Sequence, residues 1–272
     1  MPELPEVETS RRGIEPWLVN QSVVDVIVRN PRLRWPIPSD LPMQLVGEVV
    51  RTVSRRGKYL LIEFEHGTLL IHLGMSGNLR IVPANTELKP HDHLDLVMES
   101  SRCLRLNDPR RFGAVLWTEN DPGQHPLLVS LGPEPLDNPQ FNPEYLYELC
   151  QRRRCSIKQL LMDNQVVVGV GNIYACEALF ESGVYPGRSS SKITKSEATL
   201  IVKSIKSVLA RAIEQGGTTL KDFNAPDGKP GYFAQELLVY GRADQPCYQC
   251  GNEVSTVRLG QRNTYFCSKC QV

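Results

Sequence analysis

The chain has 272 residues, 41% apolar and 22% charged, which leaves room for about two domains and is too apolar for wholesale disorder. No apolar run reaches the eighteen residues of a membrane-spanning helix, and the start, Met1-Pro2-Glu3-Leu4-Pro5-Glu6, is acidic and broken by prolines, unlike a secretory signal. A cytosolic protein without a membrane partner is expected, so the eight cysteines read as thiols or metal ligands rather than disulfides. The net charge of +1 conceals an asymmetry: residues 1–150 hold 15 basic and 20 acidic side chains, residues 151–272 hold 16 and 10. A basic C-terminal half suits a polyanion, although uneven scatter is the plain alternative and local support is needed.

In chain order, Pro5 suits the first turn of a helix, Glu3, Glu6 and Glu8 suit its positive end, and Val7, Ile14, Trp17 and Leu18 recur at helical spacing. Strand-like runs follow at 23–29, 46–54, 59–64, 68–72, 79–82, 93–98, 103–106 and 114–117, divided by turn signals such as Arg56-Gly57, His66-Gly67 and Asp108-Pro109. Short strands with hairpin-length links predict a sandwich or a barrel. A proline-rich stretch from Leu131 to Pro143 reads as a connection, and helical patterns then dominate at 143–152, 156–162, 172–182 and 195–214. The span 216–231, with Gly, Thr, Asn, Asp and Pro, reads as a long functional loop.

The strongest local signal is Cys247-x2-Cys250 and Cys267-x2-Cys270 with sixteen residues between the pairs, the spacing of a zinc ribbon. Four thiolates close a tetrahedral shell with no open position, so the metal is structural; a pair of disulfides is the rival reading. Arg258, Gly260, Gln261, Arg262 and Asn263 fall where a hairpin tip is expected, as a phosphate contact or a solvated turn. Cys103, Cys150, Cys155 and Cys176 lack ligand spacing and read as buried filler.

Gly169-Val170-Gly171-Asn172 opens a helical pattern, where backbone N–H groups meet a phosphate or the chain merely turns; Tyr174 stands where a dinucleotide fingerprint needs its third glycine. Alternation puts His91, His93 and Asp95 on one strand face, read as a polar surface cluster without metal. The turns 72–77 and 108–113 set Met75, Arg110, Arg111 and Phe112 on hairpin tips, either folded onto the core or acting as wedges in a base stack. Arg152-Arg153-Arg154 with Lys158 is a solvated face or the start of the basic half, and Arg55-Arg56-Gly57-Lys58 is a simple charged turn or one that aims Lys58, between a turn and a strand, at a site. Removal of Met1 leaves Pro2 a secondary amine able to attack a sugar carbon and form an iminium, with Glu3 to move protons; a disordered start is the plain alternative.

In this order the motifs Pro2–Thr9, Arg56–Leu60, His72–Gly77, Asp108–Gly113, Met162–Asn164, Gly169–Tyr174 and the terminal cysteines resemble bacterial formamidopyrimidine-DNA glycosylases over almost the whole chain. The resemblance implies a two-domain α+β fold: an N-terminal β-sandwich with a flanking helix (1–132), a connection (133–150), a helix-two-turns-helix domain with a lesion-capping loop at 216–232 (151–241), and a zinc ribbon (242–272). It implies a monomeric glycosylase and lyase that removes 8-oxoguanine and formamidopyrimidines from double-stranded DNA, held in the cleft between the domains, with one structural Zn2+. Pro2 is then the Schiff-base nucleophile, Glu3 the acid, Lys58 the lysine of β-elimination, and Arg262 the arginine of δ-elimination. Met75, Arg110 and Phe112 fill the void left by the everted nucleotide, and His91, Arg110, Arg153 and Asn172 contact DNA. Arg153 and Cys176 depart from the family pattern, and Thr218, Thr219 and Lys221 fall in the capping loop. Leu4 and the long loop favour oxidised purines over an endonuclease VIII-type preference for pyrimidines. The presence of Pro2, Glu3, Lys58 and Arg262 favours an enzyme over a non-catalytic zinc-ribbon DNA-binding protein.

Overall fold

Helix α1, Leu4–Leu18, takes Glu3 as its N-cap residue, and Glu6 Oε2 accepts the Glu3 N–H at 2.8 Å, so an otherwise orphaned donor at the chain start is satisfied. Leu4, Val7, Ile14 and Leu18 are buried on one face, whereas Trp17, expected there too, is 45% exposed with the Arg102 guanidinium 4.4 Å from its ring centre. The computed structural model describes residues 2–218 and 236–272. They form two units, one of Met1–Val129 with the stretch that begins at Gln215, the other of Ser130–Glu214 with the stretch that ends at Val272.

In the first unit β1 (Val23–Val28), α2 (Leu41–Leu45), β2 (Thr52–Arg56), β3 (Tyr59–Glu63), β4 (Thr68–His72), β5 (Asn78–Pro83), β6 (Asp92–Met98), β7 (Arg102–Asn107) and β8 (Ala114–Thr118) follow α1. They make two antiparallel four-stranded sheets, ordered β1-β6-β7-β5 and β2-β3-β4-β8. The fold is therefore a sandwich rather than a closed barrel. Leu60, Ile62, Leu69, Ile71, Leu94, Leu96, Leu104 and Leu106 join Val7, Ile14 and Leu18 of α1 in one core.

Two departures from the sequence reading have local causes. Residues 46–51 do not begin a strand: five-residue α2, with Pro42 in its first turn, runs into Gly47 at φ +92°, and Ser22 and Val49 share only an isolated bridge. One short turn of helix is below the length at which a 3.6-residue period can be read. The polar surface cluster of His91, His93 and Asp95 is likewise overturned. His91 is left-handed (φ +72°) ahead of β6, and the register shifts between Asp92 and Leu94. The alternation is broken, so His91 is exposed while His93 and Asp95 are buried. Asp95 takes both ends of the Arg105 guanidinium at 2.8 Å and Arg29 at 2.6 Å. Burial pushes its carboxyl up, and the two arginines more than offset that, holding it below its usual range.

In the second unit α3 (Pro143–Gln151) is capped by Asn142, whose side chain accepts the Tyr145 N–H at 2.9 Å, and α4 (Ile157–Leu161) by Ser156 through a capping box with Gln159. Gly169, at φ +81°, and the N-cap Gly171 lead into α5 (Asn172–Glu181), and α6 spans Lys195–Glu214. The C-terminal hairpin of β9 (Ser255–Leu259) and β10 (Arg262–Phe266) carries the ribbon. Its approach is anchored by buried Glu177, which accepts the N–H groups of Leu238, Val239 and Tyr240 at 2.8–3.0 Å. Cys176 is core filler here, packed with Phe180, Val239, Val254, Cys247 and Cys267. Among the described residues no helix is long and apolar enough to cross a membrane.

Candidate active site

The chain start is buried where termini are usually loose: Pro2 and Glu3 are both covered. Glu6, 0% exposed, gives one carboxylate oxygen to the Glu3 N–H and the other to the Thr218 N–H (2.9 Å) and hydroxyl (2.8 Å). Gly217, at φ +77°, has no room to spare, because a Cβ there would lie 3.0 Å from Glu6 Oε1. The hydroxyl of Thr218 is thus directed at Glu6. Thr219 and Lys221, and the rest of the loop from 219 to 232, lie outside the described residues.

Lys58 occupies the two-residue turn between β2 and β3, with Arg56 paired to Tyr59. Gly57 precedes it at φ +58°, a conformation that favours glycine, and Lys58 is 8% exposed. Its neighbour His72 accepts the Gly74 N–H at Nδ1 (3.0 Å) and lies 4.8 Å from Tyr59, ring centre to ring centre. Burial first, then the charges of Lys58 and Arg34, lower its pKa to about 4, so the imidazole is neutral at pH 7.

Two turns of the first unit are locked together by Asp108. Its carboxylate accepts the Ser76 hydroxyl at 2.7 Å and the Gly113 N–H at 2.8 Å, while Ser76 Oγ accepts the Arg110 N–H at 3.1 Å. Gly74 lets the backbones meet: a Cβ there would fall 2.4 Å from the Phe112 carbonyl carbon. Met75 is half-buried, Arg110 exposed, and Phe112 46% exposed with the Arg110 guanidinium 5.2 Å from its ring centre. An exposed phenylalanine under an arginine is held outward by a buried carboxylate rather than folded into the core.

The four ribbon cysteines converge. Their sulfurs lie within 4.8 Å of one another, Cys247 to Cys270 at 3.9 Å and Cys250 to Cys267 at 3.5 Å. Tetrahedral zinc with bonds of about 2.3 Å separates its sulfurs by about 3.8 Å, so the cage fits one structural zinc. The hairpin tip is Gly260-Gln261, both at positive φ, and it sets exposed Arg262 at the start of β10. Lys158 is 1% exposed, so it is no surface cation beside Arg152–Arg154. Its ammonium donates to Asn172 Oδ1 (2.5 Å) and Thr264 Oγ1 (2.7 Å), and Asn172 Nδ2 donates to the Asn263 carbonyl (3.0 Å). Asn172, in the first turn of α5, and the hairpin that bears Arg262 are therefore one rigid piece. Arg153 is half-buried and paired with Asp163 at 2.6 Å.

Within the first unit the fold thus unites Met75, Arg110 and Phe112; within the second it unites Asn172 with the Arg262 hairpin. The sequence marks Glu6, Asp108, His72 and Lys158 only as members of a helix start, two turns and a basic run, not as supports of the site. Only the reciprocal acid at Glu6, three residues after the cap, left a signal, that of a capping box.

Comparison with known proteins agrees along the whole chain. Residues 1–115 match the formamidopyrimidine-DNA glycosylase N-terminal domain, 131–224 the H2TH domain of the same proteins, and 244–272 a zinc finger found in FPG and IleRS. A formamidopyrimidine-DNA glycosylase of Photobacterium profundum is 57% identical over 271 residues, covering 100% of both chains. The crystal structure of the MutM (Fpg) protein of Thermus thermophilus superposes with a TM-score of 0.89 at 39% identity, covering 99% of this chain and 98% of that one. A Lactococcus lactis Fpg mutant in complex with a Fapy-dG containing DNA superposes at 0.91 with 32% identity, covering 99% of each.

Proposed function

The chain belongs to the formamidopyrimidine-DNA glycosylase family, and from that premise we propose how its residues carry the activity of an oxidised-purine DNA glycosylase and abasic-site lyase. Once Met1 is removed, the Pro2 nitrogen attacks C1′ of the damaged nucleotide, the glycosidic bond breaks, and the base leaves with its bonding pair. Opening of the C1′–O4′ bond then gives the iminium; loss of a proton from C2′ expels the 3′ phosphate, and loss of a second proton from C4′, conjugated to the iminium through the new C2′=C3′ bond, expels the 5′ phosphate. Glu3 donates the proton that opens the sugar ring, Lys58 serves β-elimination and Arg262 δ-elimination.

The observation that carries this reading is the burial of Pro2 and Glu3, with the Glu3 backbone pinned by Glu6, in the unit that also buries Lys58. A secondary amine kept from bulk water and fixed in direction is what a nucleophile requires. Met75, Arg110 and Phe112 occupy the space of the everted nucleotide, with Arg110 facing the orphaned base. Asn172 and the N–H groups at the start of α5 bind phosphate, as do His91 and Arg153. His91, left-handed ahead of β6, is exposed with its ring 6.2 Å from that of His93, and Arg153 keeps a partly open guanidinium beside its pair with Asp163. Cys247, Cys250, Cys267 and Cys270 would hold one zinc and close its shell, so the metal would brace the ribbon and supply no step of the chemistry. The enzyme is a bacterial cytoplasmic monomer acting on double-stranded DNA with oxidised bases, organised as 1–132, 133–150, 151–241 and 242–272.

Borohydride trapping on an 8-oxoguanine duplex tests this. The parent protein is expected to give a covalent adduct, and Pro2→Gly to lose most of it while still shifting the duplex in a gel. Binding without any adduct in the parent protein would leave only a DNA-binding role.

A further inference from the structure

Lys58 follows a residue whose carbonyl is held from behind. Arg55, next to last in β2, is 9% exposed at its side chain; its Nη1 donates to the Gly57 carbonyl at 2.9 Å and its Nε to Glu8 Oε2 at 3.2 Å. The Gly57 carbonyl belongs to the peptide that joins Gly57 to Lys58, so fixing it fixes the plane from which the Lys58 side chain departs. Glu8 lies one helical turn beyond Leu4 on α1, the helix that Glu3 begins. A single planar guanidinium therefore spans from the helix that follows Pro2 and Glu3 to the turn that carries Lys58.

Glu8 is suited to anchor it. Its carboxylate also receives Arg11 (3.1–3.2 Å) and Arg12 (2.8 Å), and Arg11 reaches on to Glu15 and the Val53 carbonyl of β2. Burial pushes the Glu8 carboxyl up, but these arginines outweigh it and keep the group ionised. Two donors of Arg55 are spent inside the protein, a poor arrangement for gripping DNA but a good one for holding geometry.

We propose that Arg55, anchored on Glu8, is a positioning residue of the lyase step that sets the peptide before Lys58 and thereby the aim of its ammonium. This rests on the reading of Lys58 as the lysine of β-elimination. Lysine has a long, flexible stem, and misplacing a reacting group by about 1 Å can cost on the order of a hundredfold in rate. A loosened peptide plane shifts it less, so about tenfold is expected. The fork matters as well as the charge: an ammonium at position 55 does not reproduce the planar guanidinium that reaches both Glu8 and Gly57.

The test is a double-mutant cycle read as single-turnover β-elimination on a duplex with a preformed abasic site. Arg55→Met is expected to slow elimination about tenfold with duplex affinity unchanged, Arg55→Lys to behave like Arg55→Met, and Arg55→Met to cost less than about twofold in a Lys58→Ala background. The same loss in both backgrounds, or a fully active Arg55→Lys, overturns the inference and leaves the role of Lys58 intact. Elimination by Lys58→Ala at the parent rate removes that role and this inference with it. Should Arg55→Met fail to fold, Glu8→Gln goes through the same cycle, with a smaller loss that must also vanish without Lys58.

Discussion

His72 has a charge state set by its surroundings rather than by its own chemistry. The unfolded chain takes up a proton there near pH 6.5, whereas the folded protein resists until about pH 4, because the half-buried ring loses hydration and lies beside the charges of Lys58 and Arg34. The unfolded state therefore binds more protons across that window, and folding stability falls as pH drops from about 6.5 to about 4, by about 3 kcal/mol at full extent. His72→Gln, which keeps a polar side chain without the titration, is expected to flatten this part of the stability–pH curve in urea unfolding. A curve as steep as that of the parent protein would mean that His72 protonates normally when folded.

Among the elements, the ribbon has the least to hold it without its metal. Of its apolar side chains Val254, Cys247 and Cys267 are buried, so metal binding supplies most of its folding free energy, of which structural zinc typically provides about 10–16 kcal/mol. Stripping zinc should release Asn263 and Thr264 from Asn172 and Lys158, free Arg262, and weaken duplex binding at least about tenfold, one lost phosphate grip and its partner being worth over about 1.4 kcal/mol. Circular dichroism of the sandwich should stay nearly unchanged. Undiminished affinity after verified metal loss would take the ribbon out of DNA binding.

The same scale shows why some elements were legible in the sequence and others not. β3 and β4 were bounded almost to the residue, because Tyr59–Glu63 and Thr68–His72 are β-rich runs flanked by glycine turns. The cysteine spacing likewise announced its cage. The supports of the site were hidden because they are made across long sequence distances: Glu6 meets Thr218 212 residues away, and Lys158 meets Thr264 106 residues away. Alternation also failed where one bulge and one left-handed residue, His91, inverted the expected faces around Asp95.

At the scale of the molecule, the uneven charge acquires a physical sense. The acidic half builds a sandwich whose glycine turns carry Lys58, Met75, Arg110 and Phe112, while the basic half carries Asn172 and the Arg262 hairpin, which we assign to DNA. Both activities turn on the chemistry of residue 2, which neither composition nor periodicity could reveal and which the family resemblance brought forward. The most direct measurement is mass spectrometry of the borohydride-reduced crosslink to an abasic duplex, after proteolysis. The deoxyribose remnant is expected on the nitrogen of Pro2 in a peptide lacking Met1; a remnant on Lys58 or any other lysine, with Pro2 unmodified, would contradict a proline nucleophile.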